Sequence, residues 1–169
     1  MKNFLSIDQG TTSSRSIIFD ANLNIVTDAQ EEYDLTYPED GWVELEPKKI
    51  IETVTNTLNK VVSVDLGIEA CGITNQRETT IVWSKLTGEA IYPGIVWQDR
   101  RTHEYCKYLK SNGHEAVIKE KTGLLLDPYF SATKIKWILD NVDGAREKAS
   151  KGELLSLIHI SEPTRQLCI

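Results

Sequence analysis

Residues 8–15, Asp-Gln-Gly-Thr-Thr-Ser-Ser-Arg, sit between two short runs rich in apolar residues, Phe4–Ile7 and Arg15–Asp20. A third such run extends from Asn24 to Tyr33. Polar turn residues separate the three. Links this short let strands return antiparallel, whereas parallel neighbours need a crossover of a dozen or more residues. The chain is therefore expected to open as an antiparallel meander with Asp8–Arg15 at its first turn.

The pattern then changes. Glu46-Pro47 opens a helix, because proline suits the first helical turn. Ile50, Ile51, Val54, Leu58, Val61 and Val62 recur at helical spacing and form an apolar stripe. After Gly67, Ile68–Thr74 reads as a buried strand. Thr79–Trp83 and Ala90–Trp97 flank Lys85–Glu89 as a hairpin. From Arg100 the chain turns helical, with Ile135, Ile138, Leu139 and Val142 marking another stripe. Strands, helix, strand, hairpin and helices in that order predict a mixed α/β domain with an antiparallel edge.

Composition sets outer limits. A chain of 169 residues fits one ordinary domain. With 40% apolar and 26% charged residues it falls in the globular range. The formal net charge of −6 disfavours polyphosphate backbones, so no nucleic acid is expected as a partner. No apolar run reaches the ~18 residues of a membrane span, and Asp8 interrupts any signal core. A cytoplasmic location is expected. Cys71, Cys106 and Cys168 are odd in number and far apart, which fits small buried or unreactive thiols.

Four segments can carry chemistry. In Asp8–Arg15, Gly10 lets the backbone approach an anion and turn N–H groups can form a nest. Thr11, Thr12 and Ser13 add hydroxyl donors, Arg15 a planar cation, and Asp8 a carboxylate for hydrated Mg²⁺. The Gly-Lys-Ser/Thr ending of a P-loop is missing, and a hairpin turn rich in Thr and Ser has the same composition. Arg77 and Glu78 can grip a polyol, donating to one hydroxyl and accepting from another, or form a surface ion pair. Trp97 can stack on a polyol's carbon face, or fill the core. Tyr129, in Asp127-Pro128-Tyr129-Phe130-Ser131, can offer its hydroxyl to a ligand, or serve packing. The three histidines are scattered, with no zinc-protease spacing. Lys48-Lys49 and Arg100-Arg101 read as solvated faces.

Taken together, several segments resemble the glycerol kinases, within the wider FGGY carbohydrate kinases. They are Asp8–Arg15, Tyr37-Pro38 with Gly41–Glu44, Gly72–Thr80, and Ile95–Gln98 with Arg100-Arg101. Thr122-Gly123 with Asp127–Ser131, Lys134–Asp140 and Gly152–Leu155 complete the set. Asp-x-Gly-Thr-Thr alone marks only the wider family; the Asn75–Thr80 and Asp127–Ser131 runs narrow it. The resemblance implies a ribonuclease H-like, actin-like ATPase domain, the first part of a two-domain kinase with ATP and glycerol meeting between its domains. It implies transfer of the γ-phosphoryl of ATP to glycerol, with Mg²⁺. It assigns Gly10, Thr11, Thr12, Ser13 and Arg15 to the nucleotide and Asp8 to the metal. It assigns Arg77, Glu78, Trp97 and Tyr129 to glycerol. The catalytic base is implied to be an aspartate beyond residue 169, and the full-length enzyme a homo-oligomer.

The resemblance stops after Leu155, where a glycerol kinase continues with a Phe-Gly step. Residues 1–155 are therefore expected to be a partial N-terminal kinase domain. Residues 156–169, which resemble translated adaptor sequence, are expected to be a non-native tail. Two other readings stand beside this one: a kinase of another polyol or sugar, and a chain inactive on its own.

Overall fold

The computed structural model describes residues 2–62 and 66–156, so all of the tail read from the sequence except Ser156 lies outside the described residues. In chain order the elements are β1 (Asn3–Gln9), β2 (Ser13–Asp20), β3 (Ile25–Glu32), β4 (Glu44–Leu45), α1 (Pro47–Val61), β5 (Ile68–Asn75), β6 (Val82–Ser84) and β7 (Gly94–Ile95). There follow α2 (His103–Ser111), α3 (His114–Thr122), α4 (Ser131–Asn141), α5 (Ala145–Ser150) and β8 (Leu154–Ser156). They divide into two compact units. One comprises Met1–Leu35 and Glu46–Arg77, the other Thr36–Leu45 and the chain from Glu78 onward.

The first unit is a four-stranded sheet, β3-β2-β1-β5, with α1 against it. The expected meander is present: β1 pairs antiparallel with β2, and β2 with β3. Helix α1 then crosses over so that β5 returns parallel to β1. Alternation along β1 turns Asn3, Leu5, Ile7 and Gln9 inward and leaves Phe4 and Asp8 outward. Leu5, Ile7, Ile18 and Val61 form the core, joined by Val54, Leu58 and Ile68. Glu46 caps α1 by accepting from the Lys48 N–H.

Two expectations need correction here. The stripe on α1 is not wholly apolar: Ile51 and Val62 are exposed, and Thr53 and Thr57 are buried in their place. They meet serines of β2, with Ser14 Oγ 2.9 Å from Thr53 Oγ1 and Ser16 Oγ 2.9 Å from Thr57 Oγ1. Strand β5 is not buried either; Ile73 is 74% exposed. It is the sheet's edge, and α1 lies over β2 and β3.

The second unit has short strands and four helices. The hairpin over Lys85–Glu89 closes as expected, with Ser84 N–H donating to Glu89 O at 2.9 Å and Ile91 N–H to Val82 O at 2.9 Å. Strand β6 also pairs with β8, and β7 with β4. Val82, Ile95 and Ile138 form the core, with Tyr92, Trp137 and Leu154 packed on it. The arginine pair splits: Arg100 is exposed beside Asp127, but the Arg101 side chain is fully buried, against expectation. Its guanidinium reaches Glu44 and Asp99 at 2.8 Å each. It lies 3.9 Å from the Trp42 ring centre and 4.6 Å from that of Trp137. The thiols also split, Cys106 buried and Cys71 exposed. Among the described residues no helix is long and apolar enough to cross a membrane.

Candidate functional site

In the first unit the turn between β1 and β2 is built around one residue, Gly10. The Gly10 N–H donates to Ser13 O at 2.8 Å. A Cβ at residue 10 would come 3.1 Å from that same oxygen, so the turn favours glycine by close approach. The Gly10 carbonyl accepts three bonds: Gln9 Nε2 at 2.6 Å, Tyr33 Oη at 2.5 Å and Gln76 Nε2 at 3.2 Å. Gln9 Nε2 also donates to Tyr33 Oη at 2.7 Å, and Tyr33 N–H to Thr12 O at 2.9 Å. A trans peptide sets its C=O and N–H on opposite sides, so fixing the Gly10 carbonyl also fixes the direction of the Thr11 N–H. Burial raises the Tyr33 hydroxyl above its ordinary pKa, and Gln9 and Gln76 oppose that. The phenol therefore stays a donor at neutral pH.

The clamp of Gln9, Tyr33 and Gln76 is absent from the reading of the sequence. One signal was available, since the alternation of β1 places Gln9 inward and a buried amide requires partners.

The remaining residues of this segment differ in their engagement. Asp8 is exposed at the end of β1, opposite Arg15 on β2 and Thr74 on β5. Its carboxylate makes no hydrogen bond or ion pair within the described residues. Ser13 Oγ accepts from Gln30 Nε2 at 3.2 Å, while Thr12 is exposed. Arg15 donates to Asp28 Oδ2 through Nε at 3.1 Å and through the guanidinium end at 2.7 Å. That pair is about 40% exposed on each side. Exposed pairs contribute only about 0–1 kcal/mol, so Arg15 can leave Asp28 for a stronger anion. Arg77 is exposed and is the last residue of this unit.

In the second unit three of the residues read from the sequence lie on one framework. Glu78 has φ 61°, a left-handed conformation costly for a side chain of its size. Its Oε2 accepts from Ser131 N–H at 3.1 Å and Ser131 Oγ–H at 2.9 Å. Ser131 is the first residue of α4, so the carboxylate satisfies an otherwise open N–H at a helix start. Two residues earlier, the Tyr129 ring stands 5.9 Å from the Trp97 ring, the planes inclined by 67°. Phe130 meets Tyr129 edge-on at 5.1 Å. Trp97 N–H donates to Thr79 Oγ1 at 3.2 Å. A corner of two rings offers apolar faces, and the Tyr129 hydroxyl and Glu78 carboxylate supply polar ends.

Lys134, on the first turns of α4, is another residue whose role the sequence reading missed. Its side chain is fully buried, and Nζ donates to Pro128 O at 2.9 Å, Tyr129 O at 2.5 Å and Phe130 O at 3.2 Å. Burial lowers its pKa to about 8, with Glu78, Asp99, Cys106 and Asp127 opposing. The available signal was position: Lys134 lies one turn before Ile138, on the buried stripe of α4. Among the described residues no group of three or more His, Cys, Asp or Glu is placed to hold a metal.

The glycine turn lies in the first unit and the carboxylate-and-ring corner in the second, each on a mixed α/β scaffold. The chain belongs to the FGGY family of carbohydrate kinases, whose N-terminal domain matches residues 3–161. It is similar to the glycerol kinase of Roseobacter denitrificans, 56% identical over 159 residues, which are 92% of this chain and 32% of that protein. It is 57% identical to the glycerol kinase of Pasteurella multocida over 158 residues, 91% of this chain and 32% of the relative. The chain thus spans about a third of the length of the curated relatives it matches. Among solved structures it resembles Plasmodium falciparum glycerol kinase with ADP, with TM-score 0.86 and 33% identity. That match covers 92% of this chain and 32% of the other. A xylulose kinase from Rhodospirillum rubrum shares the fold, with TM-score 0.77 at 21% identity, over 85% of this chain and 31% of the other.

Proposed function

We propose that this chain supplies the phosphate-binding turn and the polyol contacts of an ATP-dependent glycerol kinase. The reaction moves the γ-phosphoryl of ATP to a terminal hydroxyl of glycerol, giving sn-glycerol 3-phosphate. The observation that carries this reading is the Trp97–Tyr129 corner joined through Ser131 to the carboxylate of Glu78, whose backbone is held at positive φ. Backbone strain of this kind persists where surrounding structure over-determines it, and it concentrates at ligand sites. The 50% to 57% identities to glycerol kinases favour glycerol over the sugars of other family members.

The residues then take distinct tasks. Gly10 lets the backbone approach the nucleotide phosphates, Thr11, Thr12 and Ser13 present donors to them, and Arg15 turns from Asp28 to join them. Glu78 and Arg77 fix glycerol hydroxyls by accepting and donating, while Trp97 and Tyr129 pack its carbon face and exclude water. Asp8 suits Mg²⁺, which keeps several waters and needs only one or two carboxylates. Bound there, the ion would neutralise phosphate charge. The base for the glycerol hydroxyl comes from outside this chain. Residues 1–155 are part of an N-terminal domain, and residues 156–169 a non-native tail; the sequence downstream of Leu155 at the source locus tests that boundary.

The test of function is a coupled ADP assay on the full-length protein with glycerol and with xylulose. Glycerol is expected as the preferred acceptor. Glu78→Gln should lower kcat/KM for glycerol about 10- to 100-fold, the effect of losing a hydrogen bond to a charged group. Preference for xylulose, or an unchanged Glu78→Gln enzyme, overturns the reading. The isolated 169-residue chain should give no turnover above background.

A further inference from the structure

We propose that Lys134 is a positioning residue of the polyol site: its ammonium group gathers the carbonyls of Pro128, Tyr129 and Phe130 and so sets where the Tyr129 ring stands. This rests on the reading of Tyr129 as a polyol contact. Three consecutive carbonyls turned to one nitrogen fix the peptide planes on both sides of Tyr129. The backbone has only two soft torsions per residue, so little freedom is left in the direction of its Cα–Cβ bond. Glu78 holds the next residue from its amide side, through Ser131 N–H and Oγ–H. Segment 128–131 is therefore gripped twice, by a cation on its carbonyls and an anion on its N–H.

An unbranched apolar side chain would fill the same space without the cost of burying an ammonium group. Lys134 is fully buried and donates to three backbone oxygens, so its charge serves the loop. The titratable groups around it are Glu78, Asp99, Asp127 and the Cys106 thiol, with burial as the largest influence. Above its lowered pKa of about 8 the amine has two protons for three carbonyls.

The test compares Lys134→Met, Tyr129→Ala and the double variant in the full-length protein, by KM for glycerol and for ATP. Lys134→Met should raise KM for glycerol about tenfold or more, as misplacement of a binding group does, and leave KM for ATP unchanged. The double variant should be no worse than Tyr129→Ala, because both act through one ring. A general loss of structure would lower the active fraction without separating the two KM values. If Tyr129→Ala raises KM for glycerol and folded Lys134→Met does not, the inference falls while the site reading stands. If Tyr129→Ala leaves KM for glycerol unchanged, the site reading itself falls. Should Lys134→Met not fold, the parent decides. A KM for glycerol that rises above about pH 8 supports the inference, and a flat profile from about pH 7 to about pH 9.5 overturns it.

Discussion

In the first unit, helix and sheet meet through neutral hydroxyls, Ser14 on Thr53 and Ser16 on Thr57. In the second, the buried Arg101 guanidinium meets two buried carboxylates and three half-buried aromatic rings. The two solutions tolerate change differently. A hydroxyl pair leaves little behind when both partners go, whereas one partner of a buried ion set leaves the others charged and out of water. The first arrangement carries a turn whose Gly10 carbonyl is clamped by Gln9, Tyr33 and Gln76. The second holds side chains in place, with Asp99 accepting from Val43 N–H and Glu44 accepting from Tyr92 Oη–H.

The strongest way to break this comparison is Arg101→Met. It strands Asp99 and Glu44, and breaking a buried pair costs about 3–5 kcal/mol. The expected result is a large fall in the urea midpoint, or loss of soluble protein. Adding Asp99→Asn and Glu44→Gln should return part of the stability, because the stranded charges are gone. A loss under about 1 kcal/mol for Arg101→Met alone, the range of exposed pairs, removes the contrast.

A smaller effect tests the other side. The Thr53 hydroxyl lies 2.9 Å from both Lys49 O and Ser14 Oγ, so Ser14 and Thr53 share one buried hydrogen bond. Thr53→Val should then leave a buried Ser14 hydroxyl unmatched, costing about 1–2 kcal/mol in chemical unfolding. Ser14→Ala with Thr53→Val should recover most of that. If the double variant is as unstable as the single one, the hydroxyl pairs are not interchangeable with apolar contacts, and the first unit is as exacting as the second.

The same contrast explains what was legible in the sequence. The meander, α1 and the hairpin all follow from periodicity and turn residues, because local sequence sets them. The buried faces did not follow so well. Thr53 and Thr57 look like solvent residues until a sheet with matching serines is placed against them. Ile68–Thr74 looks like an interior strand because composition does not say whether a sheet ends there. Arg101 sits beside Arg100 in the sequence, yet one is buried and one exposed, and only Trp42, Glu44, Asp99 and Trp137 in space decide which. In the candidate site, Glu78, Trp97 and Tyr129 are brought onto one framework. The groups that hold them, Ser131 and Lys134, carry no motif of their own.

The smallest expected effect concerns backbone strain, which among the described residues each unit carries at one side-chain-bearing position. Leu23 has φ 65° and is 76% exposed; Glu78 has φ 61° and holds Ser131. The left-handed conformation costs about 1–2 kcal/mol for an ordinary side chain, and asparagine adopts it more readily. Leu23 lies in the β2–β3 turn, where Asp20 accepts from the N–H groups of Asn22 and Asn24 at 2.8 and 2.9 Å. Its side chain packs on little, so Leu23→Asn relieves strain with little lost. A gain of about 0.5–1 kcal/mol in unfolding free energy is expected, with KM for glycerol unchanged. Glu78→Asn relaxes the same torsion but shortens the carboxylate's hold on Ser131 into a neutral amide, so its effect should appear in KM for glycerol. If Leu23→Asn is neutral or destabilising, the Asp20 network already absorbs the strain at this turn. A positive φ would then say nothing about why Glu78 keeps one.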